Sequence, residues 1–143
     1  MIDQFATPPE EERELLLQAP ALVSVLASCS GDTLNDVCRN DALKLAHLRT
    51  FTAPAELQPY YREVEQRFET DFDNAAAQYR PFDSAHRNAL QERIMRLREA
   101  LAHLPAGYAQ QLHKSLEGYA THVRRATFSV FQTFIFPIAY SRL

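Results

Sequence analysis

The fold of this chain is decided by residues 107–140, which read GYAQQLHKSLEGYATHVRRATFSVFQTFIFPIAY. Apolar residues recur here at a mean spacing of about 3.7, close to the helical period of ~3.6. They are Tyr108, Leu112, Leu116, Tyr119, Val123, Ala126 and Val130. The spacing predicts one continuous amphipathic helix, which Pro137 ends because proline lacks the backbone donor that a helix needs.

Beyond residue 126 the polar face of this helix fades. Eight large apolar residues fall within positions 128–140: Phe128, Val130, Phe131, Phe134, Ile135, Phe136, Ile138 and Tyr140. Leaving them in water would forgo on the order of 10–20 kcal/mol at ~1.5–3 kcal/mol each. We therefore expect earlier helices or a second copy of the chain to cover this end. The candidate interface residues are Phe128, Phe131, Phe134, Ile135 and Ile138.

Composition and spacing favour an all-α fold. The chain has 143 residues with three Gly and eight Pro, and nearly every apolar residue follows the helical period. A chain of this length can bury a core of its own. We predict a single helical domain over 1–143, a bundle of about five to six helices with a long C-terminal helix around which the others pack.

The first half of the chain reads as a helical hairpin. Thr7–Glu10 carries the start signals of a first helix, and Pro20 should kink or break it. A turn around Gly31 follows, and Asp32 or Thr33 should cap a second helix that ends before Pro54. Its predicted buried stripe is Leu34, Val37, Cys38, Ala42, Leu45 and Leu48.

Two further helices precede the last one. The third is predicted from about Pro54 to Tyr79, with its regular part beginning near Pro59. Its apolar stripe is Leu57, Tyr61, Val64, Phe68, Phe72, Ala75 and Tyr79. Asp83 should cap the fourth helix. That helix carries Leu90, Ile94, Leu97, Leu101 and Leu104.

Charge and targeting signals argue against several classes of protein. The net charge of −3 and the pI of about 5.9 lack the excess positive charge that is typical of proteins that bind nucleic acid. No stretch of ~18 or more uncharged apolar residues is present, so we expect no membrane span. Residues 1–4 lack the basic start of a signal peptide, and we expect a cytoplasmic protein. Cys29 and Cys38 match no zinc spacing and are interpreted as buried thiols.

No catalytic constellation stands out, so we do not expect an enzyme. Phosphate-binding loops, nucleophile elbows and the His-Glu-x-x-His motif are absent from the sequence. Two pairs share a helix face, namely Glu99 with His103 and His113 with Glu117. We interpret them as solvated faces, and the same holds for Glu65, Glu69 and Asp73 on the third helix. His86, near Asp83, is interpreted as a surface residue.

The turn after the first helix is rich in acidic and amide side chains: Asp32, Asn35, Asp36 and Asp41. One interpretation is helix capping, in which these groups accept bonds from free backbone donors. The other is a divalent cation, Ca²⁺ or Mg²⁺, held by Asp32 and Asp36 with Asp41 or a backbone carbonyl.

Two segments carry a resemblance to a known family. Residues 15–26 read LLLQAPALVSVL and residues 42–52 read ALKLAHLRTFT, with weaker similarity at 60–64 and 112–123. This pattern resembles the tellurite-resistance TerB-like family. The resemblance implies an all-helical fold and an acidic turn associated with metal binding and stress responses. The sequence departs at that turn, because the family's Asp falls on Gly31 or Ser30 and its Glu on Cys38 or Val37.

Three functions follow as hypotheses. The first is a non-catalytic interaction domain of TerB-like type that forms a homodimer, or binds another protein, through the apolar segment 128–140. The second is a divalent-metal-binding domain using Asp32 and Asp36; no other cofactor is expected. The third is an enzyme or small-ligand carrier with a pocket lined by Phe128, Phe131 and Tyr119.

Overall fold

The chain is a bundle of α-helices. The computed structural model describes residues 2–30, 33–34 and 36–124, and for residues 28–30, 33–34, 36–38 and 124 it describes the backbone only. The helices are α1 (Glu10–Ser28), α2 (Asp36–Thr52), α3 (Gln58–Gln78), α4 (Ser84–Met95), α5 (Leu97–Ala102) and α6 (Ala106–Arg124). Short 3-10 helices cover Asp3–Phe5 and Ala55–Leu57. Two-residue strands, β1 (Cys29–Ser30) and β2 (Thr33–Leu34), pair antiparallel between α1 and α2.

The helix α1 lies at the centre of the bundle. It packs against all five other helices, most extensively against α3, which also packs along α2. The last helix, α6, packs on α1 and α2 and also contacts α5. One contiguous cluster of buried apolar side chains runs through all of these elements. The all-helical prediction is confirmed, with α1 rather than the last helix as the element that the others share. Within the described ranges, no helix is long and apolar enough to cross a membrane.

The third predicted helix agrees closely with α3. Pro59 lies in the first turn, where its missing backbone donor costs nothing, and a 3-10 turn precedes it. All seven residues of the predicted stripe are buried: Leu57, Tyr61, Val64, Phe68, Phe72, Ala75 and Tyr79. Because α1 and α2 flank α3, its apolar side chains all point into one closed core.

The first helix passes through Pro20 without a break. It starts at Glu10, as predicted, and continues to Ser28. A proline in a helix leaves the carbonyl four residues earlier without its usual donor, and here that carbonyl belongs to Leu16. The Tyr60 hydroxyl on α3 donates to the Leu16 oxygen at 2.6 Å. Of the two predicted outcomes, a kink or a break, the break into two short helices does not occur, and a side chain from another helix replaces the lost backbone bond.

The fourth predicted helix is two helices. A single residue, Arg96, separates α4 from α5. The predicted stripe is nevertheless buried throughout, at Leu90, Ile94, Leu97, Leu101 and Leu104. The cap is confirmed, because the Asp83 carboxylate accepts from the His86 backbone N–H at 2.9 Å.

The second helix departs most from its prediction. It begins at Asp36, while Thr33, one of the two proposed caps, lies in β2. Ala42 and Leu45 are buried as predicted, but Leu48 is 45% exposed. Ala46 is buried instead, so the core-facing stripe is rotated away from Leu48.

Part of the sequence prediction falls outside the described residues. The start of α6 and its buried residues Tyr108, Leu112, Leu116, Tyr119 and Val123 are confirmed. Its continuation past Arg124, including Ala126, Val130 and the whole segment 128–140, lies outside, as does Asp32. The side chains of Cys29, Cys38 and the stripe residues Leu34 and Val37 are likewise not described.

Candidate functional site

The predicted metal residues are not brought together by any described contact. Asp36 is the first residue of α2, with its side chain outside the description, and Asp32 lies outside entirely. Asp41, the third candidate ligand, is paired with His122 on α6, with 3.4 Å between Oδ2 and Nε2. In the parts of the chain that the structure covers, no group of three His, Cys, Asp or Glu residues could hold a metal ion. The metal site stays a prediction.

The acidic residues Glu65, Glu69 and Asp73 of α3 contact α2 in addition to facing solvent. Arg39 of α2 contacts Asp73 at 3.1 Å and Glu69 at 3.5 Å, and its guanidinium lies 5.5 Å from the centre of the Phe72 ring. The interpretation as a solvated face alone was incomplete, because these carboxylates hold α2 against α3 while remaining partly exposed. Ion pairs this exposed contribute only ~0.2–1 kcal/mol each, so they set orientation more than stability.

Histidines also join separate helices through carboxylates. His47 of α2 bonds to Glu65 of α3, and His103, just after α5, contacts Glu12 of α1 at 2.5 Å. The sequence spacing puts His103 on one helix face with Glu99, and that face was interpreted as solvated. The sequence spacing could not reveal Glu12, because that contact spans most of the chain.

The outward face of α2 carries an exposed apolar pair. Leu48 is 45% exposed and Phe51 is 60% exposed, three positions apart and on the same helix face as Lys44. The Phe51 ring lies edge-on to the His47 ring, with 5.9 Å between centroids. We call Leu48 and Phe51 the α2 apolar pair. Sequence reasoning missed it because it assigned Leu48 to the core.

The opposite side of α2 forms a polar cluster with α3 and α6, centred on Arg49. Its Nη1 donates to Ser115 Oγ at 2.6 Å and to the Ser115 carbonyl at 3.3 Å. The Tyr61 hydroxyl shares the same serine oxygen at 2.6 Å. The guanidinium lies 5.7 Å from the Tyr61 ring centre and 5.9 Å from that of Tyr119, within cation–π range.

The two tyrosines of this cluster stay neutral. Their rings stack with 6.5 Å between centroids and 6° between planes. Burial raises the pKa of Tyr119 well above its ordinary value, and burial also raises the pKa of Tyr61 despite the lowering effect of Arg49. The Tyr119 hydroxyl therefore keeps its proton and donates to the Ala42 carbonyl. Tyr119, one of the three residues of the predicted aromatic pocket, is buried in this cluster, while Phe128 and Phe131 lie outside the described residues.

A cavity of about 370 Å³ adjoins this polar cluster between α2 and α6. Its lining residues are Arg49, Pro54, Gln111, Lys114 and Ser115. We call it the Arg49 cavity. A signal for it exists in the sequence, because Arg49 and Ser115 interrupt apolar helix faces, and a polar residue at such a position requires a partner.

Comparison with models of known protein families, with curated proteins and with solved structures finds no match. The resemblance to the TerB-like family accordingly stays a prediction. The candidate sites rest on the geometry of this chain alone, and α2 carries both of them, with the apolar pair on one side and Arg49 on the other.

Proposed function

We propose that this chain is a non-catalytic helical interaction domain that self-associates through its apolar segment 128–140. The observation that carries the proposal is the α2 apolar pair. Single exposed apolar residues are common on protein surfaces, but Leu48 and Phe51 lie one turn apart on a helix whose opposite face is already buried. They offer a ready contact for an apolar partner.

The segment 128–140 of a second copy is the proposed occupant of this face. It contains no charged residue and eight large apolar ones, so it matches the chemistry of the pair. The contacts of Asp41 with His122 and of Arg49 with Ser115 make α2 and α6 antiparallel, so α6 ends beside the first half of α2. Phe51 lies ten positions beyond Asp41, about 15 Å along α2 and away from the end of α6. We therefore assign the segment of a second copy, rather than the chain's own segment, to this face.

The lengths of the two partners agree. As a helix that ends before Pro137, residues 128–136 would extend about 14 Å, enough to cover the outward face of α2 from Lys44 to Phe51. In a twofold dimer each copy would place its segment on the partner's α2, so one contact would be made twice. From the TerB-like resemblance the proposal takes only the biological context, a stress response. No residue of the proposed interface comes from that resemblance.

Sedimentation equilibrium of the full chain tests this proposal. We expect a dimer at micromolar concentration, and Leu48→Ser with Phe51→Ser should raise its dissociation constant by at least about tenfold, since two apolar contacts of ~1 kcal/mol or more are lost in each copy's site. Met95→Ser is the matched control, because Met95 is also an exposed apolar residue, at 40%, but lies on α4.

Three results would decide between versions of the idea. A wild-type monomer at these concentrations would reject self-association. A dimer that survives the α2 substitutions but is lost in Phe131→Ser with Phe134→Ser would keep the segment and remove the α2 apolar pair. If Met95→Ser also abolishes the dimer, then dimerisation depends on exposed apolar residues in general and not on the α2 apolar pair in particular.

A further inference from the structure

We propose that the Arg49 cavity binds a small molecule through an oxyanion, a carboxylate or a phosphate group, held between Arg49 and Lys114. This site is separate from the α2 apolar pair, since the two lie on opposite sides of the helix. Its ligand would be a small metabolite-sized compound, because about 370 Å³ falls within the ~300–1,000 Å³ of ordinary ligand pockets and exceeds what an oxyanion alone would fill.

Unlike Arg39 and Arg67, Arg49 has no acidic partner among the described residues. Arg39 and Arg67 each contact two carboxylates, while no carboxylate among the described residues lies within 4.0 Å of Arg49. Taking a guanidinium out of water without a counter-charge is costly, and that cost is recovered when an anion arrives. The cavity beside Arg49 is the place for that anion.

The guanidinium is held in place and still has donors to give. Nη1 donates to both oxygens of Ser115 and the guanidinium also interacts with the Tyr61 hydroxyl, which leaves part of its set of N–H groups without a described partner. The planar fork of these groups matches the two oxygens of a carboxylate or phosphate. Because Ser115 and the two tyrosine rings already fix the side chain, little conformational entropy is lost on binding.

The remaining lining residues fit an anion. None of them is acidic, and Lys114 adds a second positive charge in a protein whose net charge is −3. Gln111 contributes a different feature, since its buried Oε1 has no hydrogen-bond partner in the described structure. An unpaired buried acceptor costs ~1–3 kcal/mol, so Gln111 is a strained position in the cavity wall. The positive charge of the lining fits a phosphate monoester or a carboxylic acid.

NMR of the ¹⁵N-labelled full chain tests the site. Inorganic phosphate and glycolate, the smallest hydroxy acid, are titrated separately at constant ionic strength maintained with sodium chloride. We expect a saturable shift of the Arg49 Nε–H resonance and the Ser115 amide with at least one probe. A response to phosphate alone identifies a phosphate ligand, and a response to glycolate alone identifies a carboxylate.

Two lysine variants make the test specific. Lys114→Gln should weaken binding by about tenfold, the effect of losing one charge-assisted contact. Lys44→Gln removes the same charge from the exposed outward face of α2 and should leave the affinity unchanged. Both lysines are exposed, so neither substitution threatens the fold. The proposal is overturned if neither probe gives a saturable shift, or if the two variants weaken binding equally, which would indicate general charge attraction.

Discussion

The path of α1 through Pro20 depends on one hydroxyl group. Tyr60 is fully buried and donates to the Leu16 carbonyl that the proline leaves without a backbone donor. We predict that Tyr60→Phe lowers the free energy of unfolding by about 1–3 kcal/mol, because the carbonyl would remain buried and unpaired. Urea unfolding followed by circular dichroism measures this change.

Two further variants show whether the hydroxyl acts through the proline. Tyr79→Phe is the control, since the Tyr79 side chain is also buried but its hydroxyl makes no described hydrogen bond. We expect this variant to change the free energy of unfolding by no more than about 0.5 kcal/mol. Pro20→Ala restores a backbone donor, so it should recover most of the loss in the Tyr60→Phe protein. Equal effects of Pro20→Ala with and without the Tyr60 hydroxyl would refute this coupling.

At the level of the helix, α6 contains two glycines in different surroundings. A Cβ at Gly107 would meet no atom within 4 Å, whereas one at Gly118 would lie 3.3 Å from Nη2 of Arg49. Gly→Ala inside a helix gains about 0.5–1 kcal/mol through helix propensity, and Gly107, the second residue of α6, should gain less than that. Gly118 lies inside α6, but Gly118→Ala should also fall short of this gain, because the Arg49 guanidinium must move by a few tenths of an ångström.

Thermal unfolding of the two variants gives the comparison. A gain of about 0.5–1 kcal/mol in Gly118→Ala would show that Arg49 adjusts without cost. If the Gly118→Ala protein also loses the response of the Arg49 resonances to anions while Gly107→Ala keeps it, then the position of the guanidinium matters for the cavity and not only for packing.

The helices differ in how well their sequences predicted them. For α3 the apolar period was sufficient, since helices on both flanks bury its stripe and no polar side chain competes for the core. For α2 the period favoured Leu48 over its neighbour Arg49. The structure reverses them, because Arg49 reaches the Ser115 hydroxyl and the Tyr61 ring. Those partners belong to distant parts of the chain, and an apolar period carries no information about them.

The same limit applied to Pro20. Its local effect on a helix could be read from the sequence, but the compensating donor comes from Tyr60, forty positions away. The existence of the helices was thus predictable, and so was the buried face of every helix except α2, while the neighbours of each helix were not. The Arg49 cavity forms where α2, α6 and Pro54 meet, so the polar residues Arg49 and Ser115 indicate that a partner is needed but do not reveal the cavity itself.

For the molecule as a whole, the buried tyrosines link stability to alkaline pH. Burial raises the pKa of Tyr60 and Tyr119 well above the ordinary value of about 10 and raises that of Tyr61 as well. These phenols come from α3 and α6 and lie at the junction of both with α1 and α2, where Tyr60 and Tyr119 donate to main-chain carbonyls. Ionising them would leave a charge in the core and remove a donor.

The sign of the pH dependence follows from these shifts. Below pH ~10 the tyrosines are protonated in both states, and their contribution is fully present. Above that value the unfolded chain releases protons that the folded one keeps, so stability falls as pH rises toward the folded pKa. Tyr60 and Tyr119 each cost up to about 1.4 kcal/mol per pH unit, so the two together remove up to roughly 3 kcal/mol at pH 11, a large part of a typical domain's 5–15, and Tyr61 acts in the same direction. Urea unfolding at pH 9 and pH 11, with tyrosinate absorbance as a second signal, measures this loss; equal stability at the two values would contradict it.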